Sequence, residues 1–263
     1  NFSGQVEPGM DYSLTQCGHV GALYRPTIMA VQSAVQTMKD DLEEVSSKWL
    51  SVTEVDSSAA NRLWREYYKQ YTLYTWFFFA YATAARATCR PFPQDHIPSG
   101  EEGFIVHSDK TTKDRSHVRL LWLPKALLQQ LSDQRVFASG FEKKSSAEDG
   151  GIEGSNFFLD TRKRIPLCPK VLSPYLQSLF GHKLPVNSHR RFCRSYLLEV
   201  GCPTEIVDAF MGHWFSGESP WSRYSSQSAM EYAMKLKPYV TSMLEDLGLQ
   251  FIKFKRSKQS KKH

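Results

Sequence analysis

Asn187-Ser188-His189-Arg190-Arg191-Phe192-Cys193-Arg194-Ser195-Tyr196-Leu197-Leu198-Glu199-Val200-Gly201, continued by Ile206, Val207, Phe210 and Met211 and closed by Gly212-His213, is the stretch that decides the fold. Its apolar residues recur at steps of three and four, which predicts two amphipathic helices, and Gly201 between them reads as a helix stop. A helix pair of this kind holds the residues at its two ends in register. Here those are Arg190, near the start, and His213, just past the close.

Further segments stand in order around this pair. Upstream, an apolar helical run from Trp76 to Ala82 ends in Thr83-Ala84-Ala85-Arg86-Ala87-Thr88-Cys89. Lys110-Thr111-Thr112-Lys113-Asp114-Arg115 then lies between Gly103-Phe104-Ile105-Val106 and His117 to Leu123, two strand candidates of a hairpin. Downstream, a loop from Trp214 to Trp221 leads to Ser222-Arg223-Tyr224, expected on a short helix. Taken singly these residues are ordinary. An arginine at a helix end complements the helix dipole, and a lysine-rich hairpin is a solvated one. His213 beside Trp214 suits a packed interface, Arg191 rivals Arg190, and Tyr224 competes with Tyr232 and Tyr239.

The ordered set resembles the tyrosine recombinase (phage integrase) family. That family's second motif runs His-x-x-Arg, a Leu-Leu-x-x-Gly helix end, Leu-Gly-His and then a tyrosine. Asn187 falls on the family's first His, Arg190 on its Arg, Leu197-Leu198 and Gly201 on the helix end, and Gly212-His213 on Gly-His, with Tyr224 slightly late. An earlier family pattern like Thr-Gly-Leu-Arg-x-Ser-Glu is matched at Arg86 but not at its glycine or glutamate. Where the family often has a Lys-Thr-x-x-Lys-x-Arg hairpin, this chain has Lys110-Thr111-Thr112-Lys113-Asp114-Arg115. The resemblance covers residues 60 to 230.

The resemblance implies a mainly α domain with a small antiparallel β-sheet, of the α+β tyrosine recombinase catalytic type. It implies an enzyme that cleaves and rejoins DNA strands for a mobile element, with double-stranded DNA as partner. A homotetramer on DNA is expected, with subunits exchanging contacts through the segment after the tyrosine. No cofactor, metal, membrane or small-molecule substrate is expected. Such an enzyme works in the cytoplasm at a bacterial nucleoid, or in a eukaryotic nucleus. A topoisomerase IB-like or telomere-resolving enzyme is the alternative within this chemistry, and a catalytically silent DNA-binding protein is the alternative outside it.

The residue types suit the chemistry. A phosphodiester repels nucleophiles, so its cleavage needs positive donors where charge rises in the transition state. Arg86 and Arg190 would clamp the non-bridging oxygens with planar, permanently charged forks, and His213 would add a hydrogen bond. Tyr224 would attack phosphorus to give a 3'-phosphotyrosine, and Lys110 would protonate the departing 5'-oxygen. Asn187 can hydrogen-bond a phosphate oxygen but cannot take up a proton at neutral pH, so general-base help is weak and slow activity is expected. His189 is two helical steps from Asn187 and is expected to point elsewhere.

Composition is consistent with a globular chain of 263 residues and 41% hydrophobic content, enough for one large domain or a domain with an appendage. The net charge of +6 equals the charge of the tail residues Lys253, Lys255, Arg256, Lys258, Lys261 and Lys262, so the remainder is neutral. Any nucleic-acid surface must then come from local clusters, read here at Lys110 to Arg119, Arg162 to Lys170 and Lys183 to Arg194. Five cysteines without a Cys-x-x-Cys pair argue against a disulfide framework or zinc site, and His189 with Cys193 lacks a second ligand pair. Leu73 to Ala85, the longest uncharged apolar run, falls short of the roughly 20 residues of a membrane span and reads as a buried core helix.

Organisation along the chain follows. Residues 1–25, glycine-rich and aperiodic, read as a linker or arm, 26–250 as the catalytic domain and 251–263 as a basic tail. The chain opens on Asn1 with no signal peptide, as expected of an excised catalytic domain with a short remnant of a DNA-clamping domain ahead of it. One helix is expected from Thr27 to Leu50, two within Asn61 to Ala87, one from Pro124 through Leu131, one near Pro174 to Phe180 and one along Met230 to Leu249. Residues 139–156 read as a mobile insertion and Phe157-Phe158-Leu159 as a short apolar segment.

Overall fold

The computed structural model describes residues 25–52, 58–86, 96–112, 115–145, 158–160, 165–166, 169–185, 187–212 and 228–255. The expected arm ahead of residue 25 and the expected insertion beyond residue 145 lie outside them. The fold is mainly α with a small antiparallel sheet. Helix α1 (Ile28–Leu50) starts at Thr27, whose hydroxyl accepts the Ala30 N–H. It buries the predicted stripe of Val31, Val35, Met38, Leu42, Val45 and Trp49, and leaves Ile28 exposed.

Helix α2 (Ser58–Thr83) is one continuous element where two were expected. No glycine or proline interrupts it, and every residue from Tyr71 to Thr83 is buried. A helix apolar on all sides belongs at the centre of a fold, and α1, three of the later helices and the sheet pack around this one. Its polar side chains are matched inside the core, where Gln130 donates to Thr75 at 2.9 Å and Gln134 to Thr72 at 2.7 Å.

The sheet has strand order β1 (Ile97–Ser99), β2 (Glu102–Thr112) and β3 (Arg115–Leu123). The β2-β3 hairpin is the predicted one with longer strands, and β1 adds an unpredicted edge. Ser108 pairs with Val118 and Thr111 with Ser116, so Asp109 and Lys110 stand opposite the single residue His117, the count of a β-bulge. Lys110 therefore lies on a strand, not in the turn.

Helix α3 (Lys125–Ser145) runs well past Leu131 and takes in the first residues of the expected insertion. Phe158–Asp160 forms β4 against β5 (Ile165–Pro166). Helices α4 (Pro169–Phe180), α5 (Ser188–Glu199), α6 (Thr204–Met211) and α7 (Ala229–Asp246) complete the described chain. The glycine stop is present. Gly201 has φ 81°, its N–H reaches Leu198 O, and the Cys202 N–H reaches Leu197 O at 2.9 Å, a Schellman close.

The segment read as a basic tail begins inside the body. Residues 250–255 run along α2 and α3, where Tyr74 donates to Gln250 O at 2.6 Å, Tyr71 to Ile252 O at 2.8 Å, and the Lys255 N–H to the Tyr67 hydroxyl at 2.9 Å. Phe254 stacks on Phe137 at 3.9 Å. An apolar residue between lysines made this stretch look like a solvated tail, whereas its backbone is satisfied and its aromatic ring is in the core.

Candidate active site

Two helices end against each other. The last carbonyls of any helix have no partner within it, and those of α2 and α6 are met by side chains from α5 and β3. Arg190, in the first turn of α5 and 4% exposed, donates through Nη1 to Ala84 O and through Nη2 to Met211 O at 2.8 Å. His189 Nε2 lies 2.6 Å from Ala85 O, and the Cys193 thiol reaches Tyr81 O. Arg119, on β3 and 1% exposed, donates through Nη1 to Phe210 O and, at 3.3 Å, to Thr83 O. Two guanidiniums thus take consecutive carbonyls on each helix end, Thr83 and Ala84 on one, Phe210 and Met211 on the other. A helix C-terminus is the negative end of its dipole, which favours buried cations there.

The backbone at the junction is left-handed in three places. Ala84 has φ 47°, Asn187 φ 61° and Gly212 φ 66°. At Gly212 a Cβ would come within 2.9 Å of Arg119 Cδ, so this position needs glycine for space as well as conformation.

Of the predicted site residues, Asn187 and Arg190 share the start of α5, which meets the segment leading to Arg86 at Ala84 and Ala85. Arg86 lies two residues beyond Ala84 and is half-buried. Asn187 precedes Arg190 by one turn as the N-cap residue of α5, and its amide makes no cap hydrogen bond. Lys110 sits at the bulge of β2, three residues beyond His107, the register partner of Arg119. That is about 10 Å along a strand from the junction. His213 and Tyr224, with the loop from Trp214 to Trp221, lie outside the described residues, although Gly212, directly before His213, is part of the junction.

No protein family, curated protein or solved structure matches this chain.

His189 is settled by its contact. A carbonyl oxygen only accepts, so Nε2 carries the proton and is committed to Ala85 O, and the ring packs against Trp76 and Tyr81. The ring is therefore unavailable as a base through Nε2. Helical spacing from Asn187 is not the reason, because Asn187 has left-handed rather than helical dihedrals. Cys193 is fully buried, and burial pushes its thiol up to about 12. Among the described residues no group of three or more His, Cys, Asp or Glu side chains is placed to hold a metal, and no helix is long and apolar enough to cross a membrane.

The basic clusters are smaller at the surface than in the sequence. Arg119, expected to add to a cationic patch, is in the core, as are His189 and Arg190. Arg194 is paired with Asp208. Arg119 is the residue that sequence reasoning missed. Its only signal was position, a cation in alternation with Leu121 and Leu123, both buried.

Proposed function

We propose that the chain breaks and rejoins DNA strands through a 3'-phosphotyrosine on Tyr224, in the manner of the tyrosine recombinases it resembles. The observation that carries this reading is the hydrogen-bonded junction itself. Arg190 ties together the segment leading to Arg86, the start of α5 at Asn187 and the helix end leading to His213, three stretches far apart in sequence that the family's motif requires to meet. Two further features support it. Ala84, on the position where the family's pattern has glycine, adopts the left-handed conformation that glycine favours, and Lys110 stands at a bulge, a strand feature over-represented beside active sites.

In this mechanism the Tyr224 oxygen attacks phosphorus, the bond from phosphorus to the 5'-oxygen breaks, and that oxygen leaves as a hydroxyl with a proton from Lys110. The tyrosine proton passes to water, since Asn187 cannot accept it. Arg86 and His213 hydrogen-bond the non-bridging oxygens as their charge grows, and Arg190, held on Ala84 O and Met211 O, adds a buried positive charge behind them. The stored ester lets a second 5'-hydroxyl reverse the step, so no external energy source is consumed. Duplex DNA is the substrate and a tetramer on DNA the working assembly.

The test is covalent capture on a nicked duplex whose short 5'-fragment is lost on cleavage. Wild type is expected to yield a denaturant-resistant protein-DNA adduct, slowly, and Tyr224→Phe none, with duplex binding kept by both. Arg86→Ala should lower the rate by about 100-fold or more, the cost of losing one preorganised donor. A second reading, a silent DNA-binding protein of the same fold, is favoured by the commitment of the Arg190 guanidinium to two backbone carbonyls. Binding of duplex without any adduct from wild type would establish it and sink the first.

A further inference from the structure

Arg119 touches both helix ends of the junction. Its guanidinium spans the ends of α2 and α6 at Thr83 O and Phe210 O, its stem lies against Gly212, and its strand carries the hairpin in which Lys110 sits. Arg86 follows the first of these ends and His213 the second. We propose that Arg119 is a positioning residue of the DNA-cleaving site, setting the spacing between the two chain ends from which Arg86 and His213 extend; this rests on the recombinase reading above.

Chemistry favours arginine here over any other cation. The rigid guanidinium plane holds one nitrogen, Nη1, on two carbonyls of different helices at once, whereas a lysine ammonium is a point charge on a flexible stem that fixes neither the angle nor the separation. The contact with Gly212 is steric as well. A Cβ would sit 2.9 Å from Arg119 Cδ and 3.4 Å from Cγ, so the backbone just before His213 is seated directly on the arginine stem. Displacements on the order of 1 Å in a clamp cost about 100-fold in rate. The pairing of two arginines on consecutive carbonyls gives the junction a fixed geometry that Arg190 alone would leave free to rotate about its own contacts.

The experiment compares single-turnover cleavage of the nicked duplex by wild type, Arg119→Lys and Gly212→Ala, with Tyr224→Phe as blank. Duplex affinity and melting temperature are measured alongside, and rates are taken well below every melting point. Both variants are expected to cleave about 100-fold more slowly with duplex Kd changed by no more than about threefold, a loss in the chemical step rather than in binding. On a duplex whose scissile phosphate is a methylphosphonate, the gap to wild type should close to within about tenfold, because a neutral phosphorus centre no longer needs an aligned cationic clamp. A merely structural role would lower binding and rate together and would not respond to the phosphate's charge. If Arg119→Lys does not fold, Gly212→Ala carries the comparison. Wild-type cleavage rates in the variants, or losses equal on both duplexes, overturn the positioning role while wild-type adducts keep the recombinase reading. Absence of adduct from wild type overturns both.

Discussion

Gly201, Gly212 and Ala84 share a left-handed backbone and differ in what surrounds them. A Cβ at Gly201 would meet nothing within 4 Å, so Gly201→Ala should cost only the conformational term, about 1 kcal/mol. At Gly212 the same term adds to a 2.9 Å clash with a buried arginine stem, and Gly212→Ala should cost about 2–3 kcal/mol. Ala84→Gly releases about 1 kcal/mol of strain and loses about 0.8 kcal/mol of buried methyl, leaving it near neutral. Urea midpoints measure all three. Equal losses at Gly201 and Gly212 would mean that the Arg119 stem gives way freely, contrary to the fixed junction argued above. These positions also show what a sequence can reveal. Gly201 was readable because a glycine after an apolar stripe is a local signal. The conformation of Ala84 was not, because alanine is a good helix former and its φ is imposed by tertiary contacts. The burial of Arg119 was hidden for a related reason. A guanidinium among lysines reads as surface charge until the carbonyls that receive it are known.

Elements were legible where their periodicity was local. The α1 stripe, the glycine break between α5 and α6 and the hairpin core all follow from spacing, and the structure has them. The unity of α2 and the length of α3 were missed because neither carries a stop signal where an end was expected, and β1 was missed because three exposed residues have no alternation to read. Residues 250–255 escaped because their partners are side chains of two helices far away in sequence, the hydroxyls of Tyr67, Tyr71 and Tyr74 on α2 and the polar groups of Gln130 and Asp133 on α3. That segment yields a pH prediction. Burial pushes the Tyr67 and Tyr74 hydroxyls up to about 12 and the Tyr71 hydroxyl further in the same direction. Because the folded state holds these protons more tightly than the unfolded chain, whose tyrosines titrate near pH 10, the stability they contribute is complete below about pH 10 and is lost as pH rises through the folded values. The urea midpoint should therefore fall steeply above about pH 10. Tyr71→Phe should cost about 1–2 kcal/mol at pH 7 by leaving Ile252 O without its donor, and should make the alkaline decline shallower. An alkaline limb of unchanged slope in the Tyr71→Phe, Tyr74→Phe double variant would show that these hydroxyls do not govern it.

Charge and assembly belong to the whole molecule. Helix α7 commits Ala233, Leu236, Val240, Met243 and Leu244 to its own core and leaves Met230 and Met234 exposed, so contacts between subunits cannot draw on the buried set without opening the chain. Deleting everything from Ala229 onward would remove core, and a loss of tetramers after that deletion would say nothing about an interface. A cut after Lys255 is cleaner. It spares Phe254 and the backbone hydrogen bonds of 250–255, and removes Arg256, Lys258, Lys261 and Lys262, four of the cations that give the chain its net charge of +6. With Arg119 and Arg190 buried and Arg194 paired, these residues are a main reserve of positive charge for phosphates. Truncation after Lys255 is expected to leave the urea midpoint in place. Duplex affinity should become less salt-dependent, the slope of log K against log salt falling by about 0.9 for each phosphate that the tail no longer neutralises, up to about 4 in all. Truncation after Gly248, which strips Leu249 and Phe254 from the core, should instead lower stability by several kcal/mol. A shortened chain that ends at Lys255 and keeps the full salt slope would mean that residues 256–263 do not meet DNA, and any hold on the duplex would have to come from the rest of the molecule, which keeps Lys253 and Lys255.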